Sequence, residues 1–402
     1  MKNVFLGRIF GNQKRSIKKQ IFFFCVIAGF FQSVYGENFD SSIYERENDA
    51  IYNTIRVSGM GGTGTVFPAN FESLLFNPAG LSRKIQNHKE SIFIGFSGDS
   101  YFRPEYIVPI LTGITKSENP VGTILINAKE LITSSGVGAA LGFGFGFTPQ
   151  KINLGVGIHG GLSVFLTGKP FPLGTEGYIK MSVNFPLAYG WKVFSTEKNR
   201  LDLGVNFHPE IAVIKGLNGS DVDALTGGSI SIGKLVSDAV DNPYYSLPID
   251  CGVIYSILGK PYSGAEIRIG FSAKNLFGNY FGPGDKLVPL EKQIVLNLGT
   301  GFYLPFEIFT VKSSCILSAE LYDINQIFTG YSDFWKSLRL GAELNVGNVF
   351  CIRGGLTSGY PSIGAEVRIL GFGVGFSWET VEKGLYIGDN PLSILRLAIQ
   401  IY

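Results

Sequence analysis

Ala265-Glu266-Ile267-Arg268-Ile269-Gly270-Phe271-Ser272-Ala273-Lys274 places apolar residues at its odd positions and Glu, Arg, Ser and Lys among its even ones. Successive side chains of an extended strand point to opposite faces, so one face of this stretch suits lipid and the other suits water. Segments of the same kind recur at 91–97, 151–164, 178–185, 201–207, 294–303 and 309–322, with turn residues between them. Roughly 300 residues, at about 20 to 23 per strand and connection, predict about 14 strands, an even number in the usual range for bacterial membrane barrels. A soluble sandwich also alternates, so composition has to separate the two.

Charged residues make up 16% of the chain, against about 25% in ordinary soluble domains. Glycine supplies 53 of 402 residues, roughly twice its usual share. After residue 36 no uninterrupted apolar stretch approaches the roughly 18 residues of a spanning helix, which excludes a polytopic helical protein. Hydrophobicity spread over many short alternating pieces predicts an all-β fold, a transmembrane antiparallel barrel with a small N-terminal plug of short helices.

Residues 1–36 carry Lys2, Arg8, Lys14, Arg15, Lys18 and Lys19 and no acidic residue, then the apolar run 21–31 and Val34-Tyr35-Gly36. This order is that of a secretory signal peptide, with cleavage expected near Gly36/Glu37. The run is too short to span a bilayer, for which about 20 residues are needed. Lipidation at Cys25 is disfavoured because Phe24 stands where a small residue should precede it. Without these six cations the net charge of +2 becomes about −4, so the basic balance belongs to export and implies no nucleic-acid partner.

Cys251, Cys315 and Cys351 are far apart and read as small hydrophobes in strands. His88, His159 and His208 lack metal-ligand spacing. Neither a metal nor a cofactor is expected. The stretch 217–243 lacks clean alternation and is expected to be a long outer loop with a short helix near 234–240. Tyr262, Tyr280 and Phe281 are candidates for an aromatic girdle.

The last four strands predict a row of charges in the lumen. Leu338, Leu340, Ala342, Leu344 and Val346 share one face, with Arg339, Glu343 and Asn345 on the other. A turn through 347–349 sets Glu343 across from Arg353, and a turn through 357–362 would set Arg353 across from Glu366. Continuing through Leu370-Gly371, Glu366 and Arg368 would face Gly375 and Gly373. The chain ends in an alternating strand, 395–402, with a terminal aromatic residue. That ending looks like the signal read by the outer-membrane insertion machinery, although Tyr402 falls in phase with Arg396 and Gln400.

Ahead of the first strand stand Gly59-Met60-Gly61-Gly62 and, further on, Asn77-Pro78-Ala79-Gly80. Gly59, Gly61, Gly62, Asn77, Pro78, Ala79 and Gly80 resemble the hatch motif of the FadL-like long-chain fatty acid transporter family of outer-membrane barrels, with its PorV-like relatives. The resemblance implies a hatch inside a 14-stranded barrel, with hydrophobic substrates passing from the outer face toward the periplasm. Read as residues, the glycines permit close backbone approach, Asn-Pro favours a turn, and Gly80 could close a short helix over 71–76. The alternative, a dinucleotide fingerprint at Gly59-x-Gly61-x-x-Gly64, needs a long helix after it. Pro68 interrupts that segment.

The expected organisation is a signal peptide at 1–36, a plug at 37–88 and a barrel at 89–402, in the outer membrane of a diderm bacterium. The expected function is passive uptake of hydrophobic or amphipathic small molecules such as long-chain fatty acids. Expected partners are outer-membrane lipid, a hydrophobic small-molecule ligand and the insertion machinery. A binding, assembly or secretion-associated barrel and a general porin are the alternatives. Ser163 and His159 share a strand face, but no hydrolase motif surrounds them, so no enzymatic activity is expected.

Overall fold

The computed structural model describes residues 54–69, 71–83, 92–102, 137–149, 152–168, 175–217, 220, 237, 240–259, 264–282, 294–329, 333–382, 386–389 and 391–401. The expected signal peptide, Cys25, His88, Tyr262, Tyr402 and most of 217–243 lie outside these residues.

The strands form one antiparallel sheet that closes on itself, because β1 (Ile92–Phe102) pairs with both β2 (Val137–Phe147) and β17 (Pro391–Ile401). Three wall positions hold two strands end to end. β4 (Thr175–Asn184) runs into β5 (Leu187–Ser195), β6 (Asn199–Phe207) into β7 (Glu210–Leu217), and β8 (Tyr244–Ser246) into β9 (Ile249–Leu258). With β3 (Leu154–Gly168), β10 (Glu266–Leu276), β11 (Val295–Ile308), β12 (Val311–Leu321), β13 (Leu338–Val346), β14 (Phe350–Thr357), β15 (Tyr360–Ile369) and β16 (Phe372–Glu382), the wall is a closed 14-strand barrel, the number the alternation predicts.

Pro186, Pro209 and Pro248 stand at the three breaks. Proline has no N–H to give to a ladder, so each break loses a rung. The proline carbonyls keep the wall continuous there. Pro186 O accepts from Gly157 N at 2.9 Å, Pro209 O from Phe185 N at 2.9 Å and Pro248 O from His208 N at 3.1 Å. The result is a crease running across three neighbouring strands, bent but bridged.

The faces follow the alternation. Ile267 and Ile269 are exposed on the outside, while Arg268 and Ser272 of the same strand are buried inside. Phe96, Leu141, Ile352, Leu397 and Ile399 extend the exposed apolar belt around the wall. Such a belt is unfavourable in water and is the surface a barrel presents to lipid, and closure leaves no unpaired sheet edge to expose there.

Residues 54–69 and 71–83 fold against the inner wall as helix α1 (Ile55–Gly59) and two 3-10 turns, Phe71–Leu74 and Pro78–Ser82. The sequence predicts one helix over 71–76 closed by Gly80, and this is corrected. Asn77 caps the second turn by accepting from Ala79 N, with Pro78 at the first helical position, so the first turn ends before Asn77 and Gly80 lies within the second. The girdle candidate Tyr280 is corrected too. It packs partly buried against Tyr244, ring centroids 6.1 Å apart, whereas Phe281 is exposed as expected.

Candidate functional site: the hatch and its seat in the wall

The glycine-rich stretch after α1 lies backbone to backbone on β13, β14 and β15. Thr54 starts α1 by accepting from Val57 N at 3.2 Å. Gly61 and Gly62 then turn the chain in left-handed conformations, φ 65° and 81°, that other residues adopt only under strain. A methyl group on Gly61 would stand 2.4 Å from Leu340 O and 2.6 Å from Leu356 O, so side-chain-free residues are required on conformational and steric grounds alike. The wall answers with glycines of its own. A Cβ on Gly341 would meet Met60 O at 2.4 Å, and one on Gly355 would meet Gly61 N at 2.5 Å.

The Asn77-Pro78-Ala79-Gly80 turn is seated in the same manner on β5, β6 and β9. A Cβ on Gly204 would fall 2.2 Å from Pro78 C, and one on Gly252 would fall 1.9 Å from Asn77 Oδ1. Asn77, fully buried, donates from Nδ2 to Thr65 O at 2.8 Å, with longer contacts to the wall carbonyls of Phe271 at 3.3 Å and Val253 at 3.4 Å. Both halves of the hatch motif are therefore seat contacts. Lumen-facing wall glycines are the sockets into which they fit.

The predicted charge row exists and reaches further than the wall. Glu343 sits opposite Arg353 in the ladder, as the three-residue turn requires, and Arg353 Nε donates to Glu343 Oε2 at 2.7 Å. Arg353 is not opposite Glu366, which is a correction to the expected register. The connection is the two-residue turn Ser358-Gly359, so Gly364 faces Arg353 and Glu366 faces Cys351. The long side chains still meet diagonally, Arg353 Nη2 to Glu366 Oε2 at 2.7 Å. Glu366 also accepts from Arg368 Nε at 2.7 Å, and these two residues face Gly375 and Gly373 as predicted.

Arg56 of α1, which the sequence reading does not single out, joins this row. Its Nε donates to Glu343 Oε2 at 2.9 Å and its Nη1 to Glu72 Oε2 at 2.7 Å and to Phe67 O at 2.9 Å. Burial opposes the charge on Arg56, but Glu343 and Glu72 outweigh it and hold its pKa above the ordinary value. A basic residue three positions before a glycine-rich stretch is the only signal the sequence offers for it.

Further anchors run along the hatch. Ser58 Oγ donates to Glu379 at 2.5 Å, Thr65 N to Glu320 at 2.7 Å, and Ser82 Oγ to Asp202 at 2.6 Å. Arg83 closes the segment with Asp202 at 2.7 Å and Glu266 at 3.0 Å, and it also reaches Ser256. Charge-assisted bonds of this type are the stronger class, and at buried sites their loss leaves an uncompensated ion.

One side of the hatch is seated differently. Against β1, β2, β3 and β17 a cavity of about 50 Å³ remains, lined by Ile55, Phe71, Leu75, Phe93, Phe143 and His159 among others. Phe71 of the hatch stacks on Phe93 of β1 with centroids 4.4 Å apart and planes within 11°. The wall makes room for that ring by lacking side chains, since a Cβ on Gly146 would lie 2.3 Å from it. Arg396, which also borders the cavity, is committed to Asp99 through two contacts, Nε at 2.8 Å and Nη2 at 2.9 Å, with Glu379 at 3.9 Å. The ladder sets Ser163 between Ala140 and Lys180, and His159 between Gly144 and Asn184.

No protein-family model matches the chain, and no curated protein does. Among solved structures, the toluene transporter TbuX of Ralstonia pickettii is similar at 12% identity over 87% of this chain and 97% of that one, with a TM-score of 0.42. The toluene transporter TodX of Pseudomonas putida follows at 11%, 87%, 96% and 0.40. CdiB from Acinetobacter baumannii is similar at 8% identity over 77% of this chain, with a TM-score of 0.35, and the chain spans 60% of its length. Likenesses at this level assign no substrate.

Proposed function

We propose that the chain is an outer-membrane conduit for passive uptake of hydrophobic small molecules, and that uncharged ones pass ahead of fatty-acid anions. The observation that carries this is the aromatic-lined cavity beside the hatch, whose bordering guanidinium is already neutralised by Asp99. A carboxylate entering there would have to compete with Asp99 for Arg396 and would face Glu379 as well. A neutral apolar molecule meets no such cost.

The cavity is far smaller than the roughly 300 to 1,000 Å³ of a ligand pocket, so passage requires the Phe71–Phe93 stack to part. The hatch itself is held to the wall along most of its length, which favours side-chain movement over departure of the segment. A lumen filled in this way does not support a general diffusion pore, and the reading contains no chemical step. Insertion would use the alternating C-terminal strand.

Asymmetric liposomes with a lipopolysaccharide outer leaflet test the proposal. With the protein, a ten-carbon alkane or the methyl ester of a ten-carbon acid should equilibrate at least several-fold faster than in protein-free vesicles, and the free acid at neutral pH should gain less. Equal rates with and without the protein for all three compounds would refute the conduit.

A further inference from the structure

Two hairpin tips are built from residues that turn chemistry disfavours. Phe309-Thr310 joins β11 to β12 with φ 49° and 71°, and Leu370-Gly371 joins β15 to β16 with φ 51° and 84°. Two-residue hairpins of this conformation favour Asn, Asp and Gly, because a bulky side chain at positive φ is strained. Here the bulky residues are also almost wholly exposed, Phe309 at 95% and Leu370 at 96%. Among the described residues nothing covers them.

Their surroundings say what does. Both tips are on the end of the barrel where the chain leaves β17. The outward residues are apolar to the last rung, Ile308 opposite Val311 and Ile369 opposite Phe372, and Val346 opposite Phe350 at the neighbouring turn. The charged residues next to these rungs, Glu307, Lys312 and Arg368, occupy the alternate, lumen-facing positions. The wall is also short here. β13, β14 and β15 have 9, 8 and 10 residues, which at about 3.3 Å per residue and a tilt near 40° reach roughly 20 to 25 Å, the height of the apolar band alone. On the taller side, β4 and β5 together run from Thr175 to Ser195, and the turn that follows at the same end is Thr196-Glu197-Lys198, polar and exposed.

We infer that Phe309 and Leu370 are membrane anchors: this part of the rim is immersed in the acyl-headgroup boundary of the leaflet at the end of the barrel where β17 finishes, while the Thr196–Lys198 turn stands in water. The occupant is lipid because the tips continue the lipid-facing belt without a polar break. Aromatic and aliphatic side chains at that boundary gain by leaving water, which offsets the turn strain that a purely aqueous tip would suffer without return.

Site-directed spin labelling tests this in the full chain, with Cys25, Cys251, Cys315 and Cys351 replaced by alanine. Labels at Phe309→Cys and Leu370→Cys in liposomes should be relaxed more by oxygen than by a water-soluble nickel chelate, and the order should reverse at Lys198→Cys. Nickel accessibility at 309 and 370 equal to that at 198 would overturn the inference. So would exclusion of both reagents in native membranes alone, since that points to a protein cover. The variant Phe309→Asn with Leu370→Asn separates anchoring from folding. It should fold in detergent at least as well as the parent, because Asn suits the turn, yet insert into liposomes several-fold more slowly. Unchanged insertion contradicts the inference.

Discussion

Arg56 and Glu343 meet at 2.9 Å across the line between the hatch and the barrel wall, and the same carboxylate oxygen accepts from Arg353 at 2.7 Å. One buried anion therefore balances a cation of the hatch and a cation of the wall. Replacing it as Glu343→Gln leaves two guanidiniums undercompensated at a buried site. The expected loss is about 3 to 5 kcal/mol in unfolding free energy, read by urea titration in lipid vesicles. Pairing it with Arg56→Gln should cost clearly less than the two single losses added together. Strict additivity would show that the contact does not couple hatch and wall.

Gly204 and Gly252 supply a second prediction. Valine suits a strand, so Gly204→Val or Gly252→Val should leave the barrel formed and resistant to unfolding by detergent and gel conditions. The added carbons collide with Pro78 and Asn77, so the segment 54–83 should become cleavable by protease added to the folded protein. Gly98→Ala is the control, because its Cβ would meet only a Leu141 methyl at 3.8 Å. A hatch as protected in Gly204→Val as in the parent would remove the socket explanation.

The stacked ring pair makes a third. Phe71→Ala deletes one half of the Phe71–Phe93 stack and enlarges the cavity, so uptake of a neutral hydrocarbon should rise, roughly 2-fold or more, at a stability cost of about 3 to 5 kcal/mol. Phe71→Trp should slow uptake. Identical rates in parent and both variants would place the passage elsewhere.

How much of this was legible in the residues depends on what sets each contact. The barrel follows from local alternation, which Ala265 to Lys274 displays in full. Glu343 opposite Arg353 follows too, because a three-residue turn leaves one register that keeps Val346 and Phe350 on the lipid face. The Arg353–Glu366 opposition does not follow, because Ser358-Gly359 makes a tighter turn than expected and shifts the ladder by two residues, which alternation cannot detect. The prolines at 186, 209 and 248 are visible in the sequence, but their alignment into one crease depends on strand neighbours far apart in the chain. Arg56 and the socket glycines escape for the same reason: their roles arise only when the hatch is laid against the wall.

The central claim is that hydrophobic molecules pass a hatch that stays in place. Val66 of the hatch and Gly299 of β11 are not among the residues that line the cavity. A Cβ on Gly299 would be 2.7 Å from Val66 Cγ2, so a cysteine sulfur standing where Cγ2 does is within reach of a disulfide once Glu320 Cγ, at 2.5 Å, gives way. With native cysteines replaced by alanine, Val66→Cys and Gly299→Cys can be oxidised to staple the hatch to the wall. Hydrocarbon uptake by the stapled protein should match that of the reduced form within about 2-fold. Uptake that stops on oxidation and returns with a reductant would contradict the account.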